Sequence, residues 1–211
     1  MKELFQRLEA QLSAQFPDVL HTLNPPASKE QIALFETTIQ QKLPEDIKNA
    51  YLWRNGCRCL PGETSQPISG ESYFLIDQGR WLSLDEMLTQ WHFQIEIAEG
   101  DEYSFTKDDD PEAWGQLVFR PWCMAPPAWI PISRQSFQSH IYIDLMPGPR
   151  GRHGQLIDHN IQGYWHLIAM GFDAYIATLT RALELKKLQY DCENQQWLGL
   201  NGLLEKKNAS L

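Results

Sequence analysis

Three histidines and a nearby aspartate are the side chains in this sequence that first suggest a metal or acid–base site. His153, His159 and His166 lie close to Asp158 along the chain. However, His159 and His166 fall on predicted strands separated by a turn, and no pair among them has the spacing of a zinc motif. We therefore interpret these histidines as structural or surface residues, and we predict no metal site and no cofactor.

Asp144 lies in the polar turn of the chain that is best defined by its sequence, together with Pro147, Gly151, Gly154 and Gln155. An enzymatic interpretation would make Asp144 a general base. No Ser–His or Cys–His motif and no phosphate-binding glycine loop accompanies it. We favour a structural role, in which the glycines permit unusual backbone angles and the polar side chains hydrogen-bond the turn. We therefore predict no catalytic residues and no enzymatic activity.

A carboxylate-rich segment carries the strongest charge signal. Between residues 96 and 112, eight carboxylates stand against Lys107 alone, and they account for most of the net charge of −9. These carboxylates are Glu96, Glu99, Asp101, Glu102, Asp108, Asp109, Asp110 and Glu112. Beside aromatic residues, such a run can mimic a phosphate backbone and occupy the basic cleft of a nuclease. The alternative is a solvated loop of no special purpose, which is the usual meaning of a like-charge run.

Two further interpretations concern the same region. Asp108, Asp109 and Asp110 offer hard oxygen ligands for Mg²⁺ or Ca²⁺, but the run lacks the spaced oxygens and the glycine of a calcium loop. Trp114 and Trp122 flank the carboxylates, and tryptophan is often a dominant contact in protein interfaces. We therefore include both tryptophans with the carboxylates as candidate partner-binding residues.

Cysteine usage and the amino terminus indicate the cellular compartment. Four cysteines in 211 residues do not form a disulfide framework, and only Cys57 and Cys59 lie close together. Without a second Cys or His pair at zinc-finger distance, we interpret these two as loop or core thiols. Residues 1–7 contain charges of both signs and no apolar run, so they do not resemble a secretory signal. We expect a reduced, cytoplasmic protein.

The charge balance and hydropathy exclude two classes of partner. A net charge of −9 without Lys or Arg clusters disfavours nucleic acid, because binding to phosphates needs such clusters. No stretch approaches the roughly 20 apolar residues that span a bilayer, so we expect no membrane insertion. An acidic protein instead attracts basic proteins, so we expect a basic protein partner.

Hydrophobic spacing predicts helices at both ends of the chain. A first helix ends before Pro17, a second begins at Ser28 with Gln31 completing a capping box, and Pro44 opens a third that ends toward Gly56. Ser83 and Glu86 form another capping box, which starts a helix whose apolar residues are Leu84, Met87, Leu88 and Trp91. The last predicted helix has five apolar residues on one face: Phe172, Tyr175, Ile176, Leu179 and Leu183.

Short strands fill the region between these helices. Residues 73–82 alternate like a strand, and 128–132, 139–145, 154–159 and 164–169 read as four more, separated by turn signals. Residues 93–127 have no clear periodicity. Without βαβ alternation, this order predicts an α+β fold with a mainly antiparallel sheet that is packed by the N- and C-terminal helices. No linker divides the chain, so we predict a single domain over residues 1–211.

Three stretches together resemble one family. They are residues 23–28 with 32, 35–36, 43–44 and 55–56, then residues 80–87, and then 129–132, 143–149, 151 and 154–157. In this order and spacing they are similar to the SUKH superfamily, over about residues 23–185. The matching positions of the later two stretches, which we interpret as structural, include Trp81, Trp129, Pro131, Asp144, Pro147, Gly154 and Gln155.

The resemblance implies an α+β fold without a known catalytic centre. Bacterial members of this superfamily are typically inferred to be immunity proteins that neutralise toxins, often nucleases, and fungal members are scaffolding regulators of cell-wall synthesis and signalling. The sequence departs from the usual pattern at residues 57–61 and in a longer insertion of about residues 93–127. We expect an immunity protein that binds a cognate toxin, or alternatively a regulatory scaffold protein.

Overall fold

The computed structural model of the chain describes residues 1–58, 80–100, 127–134, 139–160, 164–191 and 196–199. Its helices are α1 (Lys2–Gln15), α2 (Pro17–His21), α3 (Lys29–Thr38), α4 (Glu45–Trp53), α5 (Leu84–Gly100) and α6 (Phe172–Glu184). Its strands are β1 (Arg80–Trp81), β2 (Trp129–Arg134), β3 (Ser139–Asp144), β4 (Gln155–Asn160), β5 (Tyr164–Ala169), β6 (Gln189–Asp191) and β7 (Gln196–Leu198).

Local signals in the sequence account for the helix starts. The Ser28 hydroxyl accepts a hydrogen bond from the Gln31 backbone N–H at 3.2 Å, and the Gln31 side chain accepts one from the Ser28 N–H at 2.8 Å. Ser83 and Glu86 make the same reciprocal pair at α5. Both predicted capping boxes are therefore confirmed, and each satisfies amide groups that the first turn of a helix leaves without partners.

Gly56 adopts the predicted left-handed conformation, with φ of 72°, but it does so beyond the helix end. Helix α4 ends at Trp53 and is followed by Arg54 in an extended conformation. A Cβ atom at Gly56 would lie 2.5 Å from the backbone of Leu82 and Ser83. The glycine is thus needed because two backbone segments touch there, in addition to its angle.

The main sheet has five strands in the order β1-β2-β3-β4-β5, and all neighbours are antiparallel. The four strands predicted after residue 127 are confirmed to within two residues at each end. The register shifts between Pro131 and Ser133 and between Leu156 and Ile157. The predicted α+β class with a mainly antiparallel sheet is therefore confirmed.

Each face of the sheet buries apolar side chains. One face contributes Ile130, Ile132, Ile141, Ile143 and Leu156 to a core cluster shared with the helices. A second, smaller cluster contains Trp129, Tyr142 and Ile157, with the partly buried Leu167 beside it. Burial and the nearby charge of Asp158 raise the pKa of Tyr142.

Helix α6 packs its predicted apolar face into the larger core. All five residues of that face are buried, and burying each contributes about 1.5–3 kcal/mol. Helix α1 lies against α6, where Arg7 forms an ion pair with Glu184 at 2.6 Å. Trp81 is also buried in this core, and Trp53 is partly buried, stacking on Phe5 at 4.6 Å between ring centroids.

Three parts of the chain differ from the sequence-based expectation. Pro17, which is predicted to end the first helix, also opens the short helix α2, which was not predicted. The region from residue 93 onward was expected to lack helical periodicity, yet α5 continues to Gly100. Beyond α6, β6 and β7 pair in a two-stranded sheet that was not predicted, so the last described element is not a helix. Of the strand predicted at 73–82, residues 73–79 lie outside the described residues, and β1 covers Arg80–Trp81. Across the described ranges, no helix is long and apolar enough to cross a membrane.

Candidate functional site

Asp144 ends β3 and is fully buried. Its Oδ1 accepts hydrogen bonds from the Trp129 indole N–H at 3.1 Å and from the Met146 backbone N–H at 2.9 Å. Its Oδ2 accepts one from the Gln155 side-chain amide at 2.9 Å. A buried carboxylate is costly without such partners, and here both of its oxygens are engaged.

Further hydrogen bonds close the loop that follows, residues 145–154, which we name the β3–β4 turn. The Gly154 N–H donates to the Asp144 carbonyl at 2.8 Å, and the Gly151 N–H donates to the Gly148 carbonyl at 2.9 Å. The Gln155 side-chain oxygen accepts from the Arg152 N–H at 3.1 Å. The β3–β4 turn is therefore held at its base and at its centre.

Gly154 also joins this turn to α4. Its φ is 87°, and a Cβ atom there would overlap the ring of Pro44, the residue that precedes α4. Only glycine combines this backbone angle with such a close contact. The base of the β3–β4 turn is thus packed against the start of a helix that is distant in the sequence.

Asp46 extends the same junction to α6. It is buried, and its Oδ2 accepts hydrogen bonds from the backbone N–H groups of Phe172 at 2.8 Å and Asp173 at 3.3 Å. It therefore caps α6 from another helix, where a negative charge is also favoured by the helix dipole. Nearby, Arg152 contacts the Asp173 carboxylate at 3.4 Å.

The side chains of this junction fix the shape of the protein surface, and they are not placed for proton transfer. A general base needs an oxygen within reach of a substrate proton, and the oxygens of Asp144 are buried and already accept hydrogen bonds. His153 is exposed beside it. Among the residues that the structure describes, no group of three or more His, Cys, Asp or Glu side chains could hold a metal ion.

Tryptophan and proline residues of the predicted motif lie near this junction or in the core behind it. Trp81 is buried and donates its indole N–H to the Tyr51 hydroxyl at 3.0 Å. Burial raises the pKa of Tyr51 well above its ordinary value, so the phenol stays neutral and donates to the Leu82 carbonyl at 2.9 Å.

The two prolines of the motif lie in the sheet and in the turn. Pro131 is buried in β2 opposite Tyr142. Pro147 lies half-buried in the β3–β4 turn.

The carboxylate-rich segment is described only at its start. Glu96 is exposed on α5, and Glu99 belongs to the same helix. The other candidate partner-binding residues lie outside the described residues: Asp101, Glu102, Asp108, Asp109, Asp110, Glu112, Trp114 and Trp122. The first eight residues of the predicted insertion are therefore helical.

A signal for the longer helix was present in the sequence. Leu84, Met87, Trp91 and Ile95 follow one another at spacings of three and four residues, and all four pack in or against the core. The sequence-based prediction ended this stripe at Trp91 and so missed its last member. Gln94 also donates a hydrogen bond to the Tyr142 hydroxyl at 2.8 Å, which ties the helix to the sheet.

Of the remaining candidates from the sequence, the structure places Asp158 and His166 opposite each other on neighbouring strands. Cys57 is buried, and Cys59 lies outside the described residues. His166 is exposed on β5 opposite Asp158 in the register, whereas His159 lies opposite His140.

Two contacts of the junction were missed by sequence reasoning. Asp46 reads as an ordinary acidic residue in the first turn of a helix, and no local pattern tells that it caps a helix 126 positions away. The contact between Pro44 and Gly154 is equally non-local. Helix-start and turn signals in the sequence identify each of these residues separately, but they do not show which of them contact one another.

Comparison with known proteins finds one matching family model and two similar fungal proteins. The family model of the SMI1 / KNR4 family (SUKH-1) matches residues 26–178. The cell wall assembly regulator SMI1 of Saccharomyces cerevisiae is 24% identical over 161 residues, which cover 67% of the chain and 32% of that protein. The cell wall biosynthesis/cell cycle regulator smi1 of Schizosaccharomyces pombe is 23% identical over 203 residues, covering 94% of the chain and 37% of that protein. The chain thus spans about a third of the length of each relative.

Proposed function

Because the chain belongs to the SMI1 / KNR4 family (SUKH-1), we propose that it is a non-catalytic domain that acts by binding another protein. The regulator names of the two fungal relatives support a non-enzymatic role. Two specific forms of this function follow, an immunity protein and a regulatory scaffold, and each is supported by a different observation.

The environment of Asp144 carries the proposal. This residue was the best candidate for a catalytic base, and it is fully buried with hydrogen bonds from Trp129, Met146 and Gln155. Its charge stabilises a turn and is therefore not presented to a substrate. Because this hydrogen-bond network fixes the shape of a surface loop, the domain is suited to recognising a partner protein.

The first form is an immunity protein that neutralises a cognate toxin, including a nuclease, by occupying its site. Net charge supports it, because residues 96–112 carry eight of the 27 acidic residues and can attract a basic protein. Charges of this kind raise the association rate more than they slow dissociation. The basic partner and the role of the carboxylates are both part of the proposal.

The second form is a regulatory scaffold protein of cell-wall synthesis or signalling. The names of the two fungal relatives favour it, and one of them aligns with 94% of the chain. Since the chain spans about a third of each, the partners of the whole relatives do not transfer directly. Binding of several wall-synthesis or signalling proteins, rather than one toxin, distinguishes this form.

Co-expression tests the two forms. Each protein encoded beside the gene is produced in a host with and without the chain, and growth and complex formation are measured. An immunity protein restores growth against one toxic neighbour and co-purifies with it. Recovery of wall-synthesis or signalling proteins by pull-down, with no toxic neighbour, supports the regulator instead. If no neighbour binds and pull-down recovers no specific partner, the protein-binding proposal is wrong.

Matched charge variants then test the carboxylates. The variant D108N/D109N/D110N and the control E3Q/D18N/E30Q make the same change in net charge, and the three control residues are exposed elsewhere. If the carboxylate-rich segment binds the partner, the first variant lowers the association rate and the control has a smaller effect. Equal effects would assign the attraction to net charge alone.

A further inference from the structure

The β3–β4 turn carries positive charge on an acidic protein. Arg150, Arg152 and His153 are all exposed within four consecutive residues, whereas the whole chain has a net charge of −9. Lys42, whose side chain is 80% exposed, lies two residues before the proline that packs against this turn. These four residues form what we name the basic patch.

Neighbouring carboxylates neutralise this patch only in part. Asp173 pairs with Arg152 at the long distance of 3.4 Å. Glu36 pairs with Lys42 at 2.8 Å. The buried Asp46 is used in capping α6, and the exposed Glu45 pairs with Lys48 at 2.7 Å. Arg150 makes no ion pair with any residue that the structure describes. Its side chain is exposed, and its guanidinium group can pair with a carboxylate of a partner.

The backbone that presents these side chains is unusually well fixed for a surface loop. The Asp144 carboxylate anchors its start, the Gln155 side chain anchors its end, and Gly154 seats it on Pro44. A loop that is ordered before binding loses less conformational entropy when a partner arrives. The buried Asp144 carboxylate at the base of this loop therefore gives it a fixed shape before a partner binds.

We propose that the basic patch docks an acidic peptide segment of a partner protein, with Arg150 and Arg152 binding its Asp and Glu side chains. The planar guanidinium group matches a carboxylate with two parallel hydrogen bonds, which a lysine does not reproduce. The partner segment is densely acidic, because only close contacts overcome repulsion from the rest of this chain. The inference does not depend on the proposed function, which assigns the carboxylate-rich segment to a basic partner.

Fluorescence anisotropy with a labelled peptide of alternating Glu and Asp residues tests this proposal, using the same peptide with Gln and Asn as the neutral control. The wild-type chain binds the acidic peptide, and binding weakens as salt is raised. The R150E variant weakens binding roughly tenfold or more. The R150K variant, which keeps the charge and loses the planar group, has an intermediate affinity.

Arg58 provides the matched control. It is exposed and lies beyond the end of α4, whereas the β3–β4 turn lies at the start of that helix, about 13 Å away along its axis. The R58E variant changes the net charge as R150E does and leaves the affinity within about twofold. Thermal unfolding of each variant verifies that the fold is retained, and R150A replaces R150E if it is not.

Three outcomes overturn the inference. One is that the wild-type chain does not bind the acidic peptide. Another is that R58E weakens binding as much as R150E. The third is that the chain binds phosphatidylserine-containing vesicles through Arg150 but not the peptide, which would assign the patch to a membrane surface. Loss of peptide binding leaves the co-expression result unaffected, so the two proposals fail independently.

Discussion

Asp144 receives hydrogen bonds from an indole, a backbone amide and a side-chain amide, and no oxygen of it reaches solvent. At the scale of single residues, the buried charge of Asp144 has a structural role, because it holds neighbouring parts of the chain together. The carboxylate accepts hydrogen bonds from Trp129 on β2, from Gln155 on β4 and from Met146 in the β3–β4 turn. It therefore fixes the position of the turn relative to these two strands. Removing it leaves buried donors without an acceptor.

We expect D144A to lower the free energy of unfolding by about 3–5 kcal/mol, because the buried donors lose a charged acceptor. We expect D144N to cost less, about 1–3 kcal/mol, since one carbonyl oxygen remains. Urea denaturation monitored by circular dichroism measures both values. The exposed Glu96 provides a control, E96Q, expected within about 0.5 kcal/mol of wild type. A D144A variant as stable as this control would contradict a structural role for the carboxylate.

Gly154 makes a second prediction at the same scale. G154A places a methyl group against the Pro44 ring and strains a backbone angle of +87°, so we expect a loss of about 1–3 kcal/mol. The double variant P44A/G154A removes the ring and recovers part of that loss. A double-mutant cycle by urea denaturation gives the coupling, expected at about 0.5–3 kcal/mol. Additive effects would mean that only the backbone angle matters.

Sequence reasoning identified most of the residues in this turn but not what they touch. Asp144, Gly154 and Gln155 were recognised by type and spacing, since short polar residues and glycines mark turns. Their partners Trp129 and Pro44 come from other elements, and pairing of that kind depends on how the sheet and helices meet. No local rule contains this information.

At the scale of elements, the β3–β4 turn, the start of α4 and the start of α6 meet at one junction. Asp46 supplies the cap that α6 lacks, because the residue before that helix is Gly171 and makes no side-chain cap. A sequence scan finds the apolar face of α6 readily but finds no capping residue. The reason is that the acceptor is supplied by a different helix.

We expect D46A to lower the free energy of unfolding by about 1–3 kcal/mol, because the amides at the start of α6 lose their acceptor. D46N keeps one carbonyl oxygen and should lose less. Urea denaturation measures both, and the slope with urea should stay constant because the surface exposed on unfolding is unchanged. If D46A and D46N match wild type, α6 does not depend on this cap.

Glu86 gives a pH prediction at the start of α5. Burial raises its pKa, but the hydrogen bond and charge of Arg80, at 2.6 Å, together with the hydrogen bonds from Ser83, hold the pKa below its ordinary value. A lowered folded-state pKa adds stability that is present above the unfolded value, roughly 4.3, and is lost as the pH falls through the folded value. We expect E86Q, which retains the capping box, to lose less stability than wild type between about pH 5 and 3.

Urea denaturation across this pH range measures the effect. Arg80→Gln tests it from the other side, since removing the guanidinium group removes the charge that lowers the pKa, and it should flatten the pH dependence as well. Parallel curves for wild type and E86Q would show that this pair does not contribute to acid stability.

At the scale of the whole molecule, the two charged regions have opposite signs and lie on different parts of the chain. Residues 96–112 carry a net charge of −7 from eight carboxylates and one lysine, and the basic patch lies on the β3–β4 turn and at Lys42 before α4. Composition alone predicted the acidic character and the attraction to basic proteins. It did not predict the basic patch, because the net charge of −9 does not show where two arginines, one lysine and one histidine come together.

Site-specific photo-crosslinking in the native cell tests most directly whether this domain acts by recognition of a basic partner. The photoreactive side chain is placed at Asp109 in the carboxylate-rich segment and, as the control, at the exposed Glu3 of α1. We expect Asp109 to crosslink to one or a few basic proteins that Glu3 does not capture. No specific crosslink at Asp109, or the same proteins captured at both positions, would contradict the account.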